Sequence, residues 1–194
     1  MSKRPARYHS FNRAAGHGAD DVLGYRRQRY RLQRHGAGRD ARAGRRLAYV
    51  DNGDGTITDS NTNLMWEKLS NDGFIHDKDN AYTWPTAVST KIARLNGGHG
   101  FAGHTDWRLP NYKELVSILN LQYVNPAVSP VFDTACTASC IVSSCSCMQS
   151  GGYWSSTNLA LDPTFAWVVS FSYGVATFSD KASTFYVRAV RVGV

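Results

Sequence analysis

In the last forty residues, Phe165, Trp167, Val169 and Phe171 recur at every second position, with smaller residues between them. That period is the one a half-buried strand imposes. Tyr153-Trp154-Ser155-Ser156 opens the region, Tyr173-Gly174 turns it, Val175 to Ser179 returns, and Phe185 to Val192 closes it. The pattern predicts an antiparallel meander. Earlier in the chain, β-prone Tyr49-Val50 and Thr56-Ile57-Thr58 flank Asp51-Asn52-Gly53-Asp54-Gly55, whose residues suit positive φ, and together they predict a hairpin. Leu64-Met65-Trp66 reads as a buried strand.

Two stretches change to helical spacing. Thr83 is placed to cap a helix with Pro85 in its first turn; Trp84, Ala87, Val88, Ile92 and Leu95 then fall on one side, and Asn96-Gly97-Gly98 ends it. In the second stretch, Pro110 keeps Leu109 out of helical geometry and Asn111 offers a side-chain oxygen to the next free amides. Glu114 can reach back to the Asn111 amide, and Leu115, Ile118 and Leu119 form one apolar stripe. A strand through Trp107-Arg108-Leu109 should therefore run straight into a capped helix. A polar loop over 71–80 and a Pro-punctuated connection over 121–133 separate these elements.

Charge divides the chain in two. The net charge is +7, yet residues 1–46 alone carry 13 Lys and Arg against three Asp, which leaves residues 47–194 at −3. The first segment, poor in aliphatics, cannot offset its ordering entropy and is expected to be disordered. Its Tyr25-Arg26-Arg27-Gln28-Arg29-Tyr30-Arg31 run could hold a polyanion, but a solvated tail or a misassigned start is the preferred reading. The rest, residues 47–194, reads as one globular domain. No stretch approaches the ~20 apolar residues of a membrane helix, and no secretory signal is visible.

Candidate chemistry is sparse. Cys136, Cys140, Cys145 and Cys147 crowd into twelve residues, which suits a disulfide-bonded loop in an oxidising compartment. Their C-x3-C-x4-C-x-C spacing does not reproduce the separated pairs of a structural zinc site, and nucleophilic use would need a base that nothing nearby supplies. His76, His99 and His104 sit in separate loops without partners at i+3 or i+4, and the 51–55 turn lacks the residue order of a calcium loop. No metal site is predicted. Arg188 and Arg191, three apart on one strand, should point to opposite faces. At least one should lie inward and ion-paired, with Asp106 or Glu114 as partner.

Five ordered blocks carry a resemblance. They are Asp54-Gly55-Thr56-Ile57-Thr58-Asp59 with Leu64-Met65-Trp66; Trp84; Asp106-Trp107-Arg108-Leu109-Pro110-Asn111 with Glu114-Leu115; Tyr153-Trp154-Ser155-Ser156-Thr157; and Phe185-Tyr186-Val187-Arg188-Ala189-Val190-Arg191. Together they resemble the Lcl C-terminal domain family. The resemblance implies an α+β, C-type-lectin-like fold of the formylglycine-generating and sulfatase-modifying type, with two helices packed on small irregular antiparallel sheets. Trp66, Trp107, Arg108, Asn111, Glu114, Trp154, Arg188 and Arg191 would be its structural residues.

The resemblance further implies a non-enzymatic module, without cofactor, that displays loops to a protein or glycan ligand. Related domains look like those of adhesins and of targets of diversity-generating retroelements, in which the segment corresponding to 158–184 varies. Asn158, Asp162, Tyr173, Ser179, Asp180, Lys181 and Thr184 are the ligand-facing candidates on that reading. An exported protein at the cell surface or in the periplasm is expected, without membrane insertion or nucleic-acid binding, and a homo-oligomer is compatible with it. Two alternatives stand beside it: an enzyme of the formylglycine-generating type through Cys145 or Cys147, and polyanion binding through the Arg-rich tail.

Overall fold

A computed structural model describes residues 46–193. The segment expected to be disordered lies outside the described residues, apart from Arg46. The first hairpin forms as its turn residues dictate. Strands β1 (Tyr49–Asp51) and β2 (Thr56–Asp59) pair antiparallel. Between them Gly53 and Gly55 take φ of +76° and +96°, and the carboxylates of Asp51 and Asp54 accept the amides of Gly53 and Thr56. Strand β3 (Leu64–Glu67), buried along its whole length, extends this sheet.

The second sheet is built from β4 (Ala81–Thr83), β5 (Gly152–Leu159), β6 (Asp162–Ser170), β7 (Val175–Asp180) and β8 (Thr184–Tyr186), in the order β4-β8-β5-β6-β7. β5, β6 and β7 form the expected meander. The expected closing strand does not. It divides into β8, slotted between β4 and β5, and β9 (Val190–Val192), which pairs with β3 and completes a four-stranded sheet ordered β1-β2-β3-β9. The reason lies in burial: Val187, Arg188, Ala189, Val190 and Arg191 are buried one after another, which a strand with a solvent face does not allow. The chain here passes between two cores rather than along a surface.

The helices complete an α+β architecture. Thr83 accepts the Thr86 amide, and α1 (Trp84–Thr86), a π-helical stretch (Ala87–Ile92) and α2 (Ala93–Leu95) run on without a break. The wider π turn moves the buried stripe. Ala87, Lys91, Ile92 and Leu95 face inward, while Val88, expected inside, is 43% exposed. In α3 (Tyr112–Ser117) the Glu114 amide donates to Asn111 Oδ1 at 2.9 Å and the Asn111 amide to Glu114 Oε2 at 2.7 Å, a reciprocal cap. The segment before it is no full strand. Only Arg108 pairs, with Val190, because the Asn96 side chain takes both backbone groups of Trp107 and Pro110 has no N–H to give.

One core gathers Trp66, Leu115, Ile118, Phe132, Tyr153 and Phe171; the other gathers Trp107, Leu109, Trp154, Val168 and Ala189. Arg191 donates to Asp106 at 2.7 Å, whereas Glu114 is held by Arg108 at 2.7 Å rather than by a closing-strand arginine. Arg188, fully buried, pairs with backbone instead: its Nη1 donates to the Glu67 carbonyl at 2.8 Å and its Nη2 to the Cys147 carbonyl at 2.5 Å.

The Glu67 carboxylate sits among these elements, also fully buried. Lys91 and His76 both reach Oε1, and the Ala189 amide donates to Oε2 at 3.0 Å. Burial alone would raise its pKa, but Lys91, and then His76, outweigh that and lower it from 4.5 to about 2. Burial also lowers the pKa of Lys91, against the pull of Glu67, so the pair fixes geometry more than it adds net stability. Because the folded-state pKa of Glu67 is depressed, its contribution is present above pH 4.5 and lost as pH falls toward 2.

Glu67→Gln should cost roughly 3–5 kcal/mol at pH 7 by leaving a buried lysine unpaired. Urea unfolding of wild type and variant at pH 6 and pH 3 tests the linkage. The wild type should lose more stability on acidification than the variant, and equal losses would remove Glu67 from the account.

Candidate functional site

β5 is bulged between Trp154 and Leu159, so its register with β6 is interrupted where the two strands approach their turn. The bulge turns Ser156 and Thr157 toward the helices. The Ser156 amide donates to the Pro110 carbonyl at 2.8 Å, and Thr157 Oγ1 accepts the Tyr112 amide at 3.0 Å. On one side of this segment lies a mostly apolar groove of about 300 Å³, lined by Trp84, Val88, Ile92, Arg108, Leu109 and Ser156. On the other side a line of rings comes to the surface.

That line starts at Tyr112, whose ring centroid lies 5.1 Å from that of Trp167. Trp167 meets Phe178 at 6.1 Å, and Phe178 meets Phe165 at 6.0 Å, both edge to face. Register explains the assembly. Trp167 opposes Phe178 across β6 and β7, and Phe165 is two residues from Trp167 on the same face. Farther along that face Val169 and Phe171 join Leu115 of α3 and Ile118, its C-cap, in the core. With six residues, α3 spans only ~9 Å against ~30 Å for the nine residues of β6, so the far end of the face has no helix to cover it. Phe165 and Trp167, expected inside from their alternation with Val169 and Phe171, are half-buried, and Phe178 is 49% exposed.

Six of the seven ligand-facing candidates gather at this end of the sheet. Asn158 and Ser179 flank Ala166 in register, and Asp180 opposes Phe165. Asp162 accepts from the Thr164 hydroxyl and amide, which holds its carboxyl below the usual range. Thr184 pairs with Thr83 at the entrance to α1. Lys181 bridges the group: its ammonium donates to the Pro163 carbonyl at 2.8 Å and lies 4.3 Å from the centre of the Trp84 ring, while its carbonyl accepts the Trp84 amide. Tyr173 stands apart, exposed in the turn at the opposite end of β6 and β7.

The structural residues named from the sequence lie beneath. Trp66, Trp107 and Trp154 are buried; Trp107 Nε1 donates to the Phe101 carbonyl at 3.0 Å, and Trp154 Nε1 to the Tyr82 carbonyl at 2.8 Å. Arg108 and Glu114 form a two-pronged pair at 2.8 and 2.7 Å beside the groove. Burial would raise the Glu114 carboxyl, but Arg108 and the Asn111 amide hold it below its usual range. Three lysines of the domain are engaged: Lys78 with Asp79, buried Lys91 with Glu67, and Lys181 over Trp84.

The cysteines form two disulfides, Cys136 with Cys147 and Cys140 with Cys145. Both cysteines on which an enzyme reading would rest are thereby oxidised. His76 is bound to Glu67, and His104 bridges Phe101 through its backbone. Among the described residues, one group of three metal-ligating side chains comes together, that of Cys136, Cys140 and Cys147.

Sequence reasoning missed the ring line and the groove. The signal was present in Phe165 and Trp167, since period-two spacing assigns a face but not whether that face is covered. With this geometry in place, a comparison with family models finds that the Lcl C-terminal domain matches residues 55–191. No curated protein matches the chain.

Phe178→Ser should leave the unfolding free energy within ~1 kcal/mol of wild type, because its ring already sits half in water. Trp154→Ala should cost ~3–5 kcal/mol. Denaturant melts of the two variants check the division between surface and scaffold, which two equal losses would contradict.

Proposed function

The chain belongs to the Lcl C-terminal domain family, and from that premise we propose that the described domain is a non-enzymatic, adhesin-like module. It binds a protein or glycan ligand at the end of the five-stranded sheet where β5 and β6 turn. The observation that carries the reading is the half-exposed line Tyr112–Trp167–Phe178–Phe165, with the apolar groove on the other side of the β5 bulge. Aromatic rings held by a rigid sheet offer large contact area at low entropic cost. Asp180, opposite Phe165, borders them, while Asn158 and Ser179, which flank Ala166 on the opposite face, and Lys181 and Thr184, beside Trp84 and Thr83, supply a polar rim to the groove side. Such an arrangement, apolar at the centre and polar at the edge, is the anatomy of recognition surfaces.

The two disulfides support an exported protein. The engaged lysines and the −3 charge of residues 47–194 speak against a polyanionic ligand at this surface.

Glycan arrays and protein surface-display screens with the full chain test the reading, using Trp167→Ala and Phe178→Ser as controls. A ligand should emerge whose affinity falls at least about tenfold in both variants, equivalent to ~1.4 kcal/mol. Failure to recover any ligand by either route, or a ligand indifferent to both substitutions, would falsify it.

A further inference from the structure

The four cysteines converge more closely than their pairing requires. Cys140 Sγ lies 3.6 Å from Cys147 Sγ, although neither is bonded to the other, and Cys147 Sγ lies 3.8 Å from Cys145 Sγ. The sulfurs of Cys136, Cys140 and Cys147 all fall within 4.8 Å of one another. In a tetrahedral zinc tetrathiolate, with Zn–S near 2.3 Å, the sulfurs stand about 3.8 Å apart. Two of the four contacts between the disulfides, both made by Cys147, therefore already have the spacing of that polyhedron, and Cys145 has to move closer to Cys136 to complete it. Each bonded pair would need to part by less than ~2 Å.

The loop around the sulfurs is held by bonds that do not involve them. The Cys147 amide donates to the Leu69 carbonyl at 2.8 Å, the Asn71 amide to the Cys140 carbonyl at 3.0 Å, and the Ser139 amide to the Asn71 carbonyl at 2.8 Å. Thr134 and Ser146 exchange both backbone bonds, and Ser146 Oγ donates to the Phe132 carbonyl at 3.0 Å. None of these bonds is made by a cysteine sulfur.

Charge supplies an independent argument. Arg188 is fully buried beside the cluster, with Nη2 on the Cys147 carbonyl, and its hydrogen-bond acceptors among the described residues are backbone carbonyls. Its Nε has no partner there. Of the carboxylates that act on it, Glu67 is already engaged by Lys91 and His76 and Asp133 accepts the Met148 amide without an ion pair to Arg188, and two disulfides carry no charge. A zinc ion with four thiolates carries a formal charge of −2, which would offset the buried guanidinium.

We propose that the Cys136, Cys140, Cys145 and Cys147 cluster has a second state, in which the reduced domain binds one Zn2+ through four thiolates. The redox step balances with a dithiol as reductant. Two dithiol molecules deliver four electrons and four protons, each closing to its own cyclic disulfide, and the two protein disulfides become four thiols. Zinc then displaces the four thiol protons and forms four Zn–S bonds. Linear spacing argues against such a site because Cys145 and Cys147 are separated by one residue. The fold removes that objection by drawing Cys136 and Cys140 back across them.

The test takes the full chain, reduced with a dithiol and freed of it anaerobically, and titrates Co2+ as probe. One Co2+ per chain should bind with the visible bands of a tetrahedral tetrathiolate, and Zn2+ should bleach them. The oxidised chain and the Cys145→Ser/Cys147→Ser variant should give none of these bands. Absence of thiolate-to-cobalt bands in the reduced wild type overturns the proposal. Thermal unfolding distinguishes a folded site from metal scavenged by a loose loop: Zn2+ should raise the Tm of the reduced chain by roughly 5–10 °C, and an unchanged Tm also overturns it.

Discussion

Everything in this domain is arranged around a negative charge that cannot reach water. The Glu67 carboxylate, at the end of β3, is approached by Lys91 from the π-helical stretch, by His76 from the 71–80 loop and by the Ala189 amide from the segment between β8 and β9. Its own carbonyl receives Arg188, which also ties down the cysteine loop through Cys147. The four-stranded sheet, a helix, the 71–80 loop and the β8–β9 connection thus meet at one residue. Apolar packing is tolerant of small displacements, whereas a buried charge is not. The polar centre therefore determines which arrangement of two otherwise adaptable cores is adopted.

That centre was the part least legible in the sequence. Local rules found the 51–55 turn, the Asn111–Glu114 capping box and the β5–β6–β7 meander, because each depends on residues within a few positions of one another. They failed where a distant partner decides. Nothing near Lys91 in the sequence marks it as buried, since its partner Glu67 lies 24 positions away. Val88 reads as core until the π turn rotates it outward. Phe185 to Val192 reads as one strand because its residues are strand-like, yet Arg188 must leave the sheet to reach carbonyls more than 40 positions away.

The candidate site shows the same division. Its polar members, Asn158 to Thr184, could be placed near one another from the meander and the family resemblance. The rings could not, since their exposure depends on how far α3 extends over β6, and helix length is fixed by contacts at its ends. Pro110 and the Asn111 cap start α3 at Tyr112, beside Trp167, so the helix begins short of the far end of β6. A short helix over a long strand is what leaves Trp167 and Phe178 at the surface.

The pairing of β3 with β9 joins residues 126 positions apart, Met65 with Arg191. During synthesis, then, β3 has no partner on that side until nearly the whole domain has left the ribosome. Contacts of such sequence separation form late, since loop closure must be met before they contribute. The two disulfides, by contrast, close loops of 11 and 5 positions. The sequence separations thus order the contacts, with the cysteine loop local and the strand that encloses the polar centre remote.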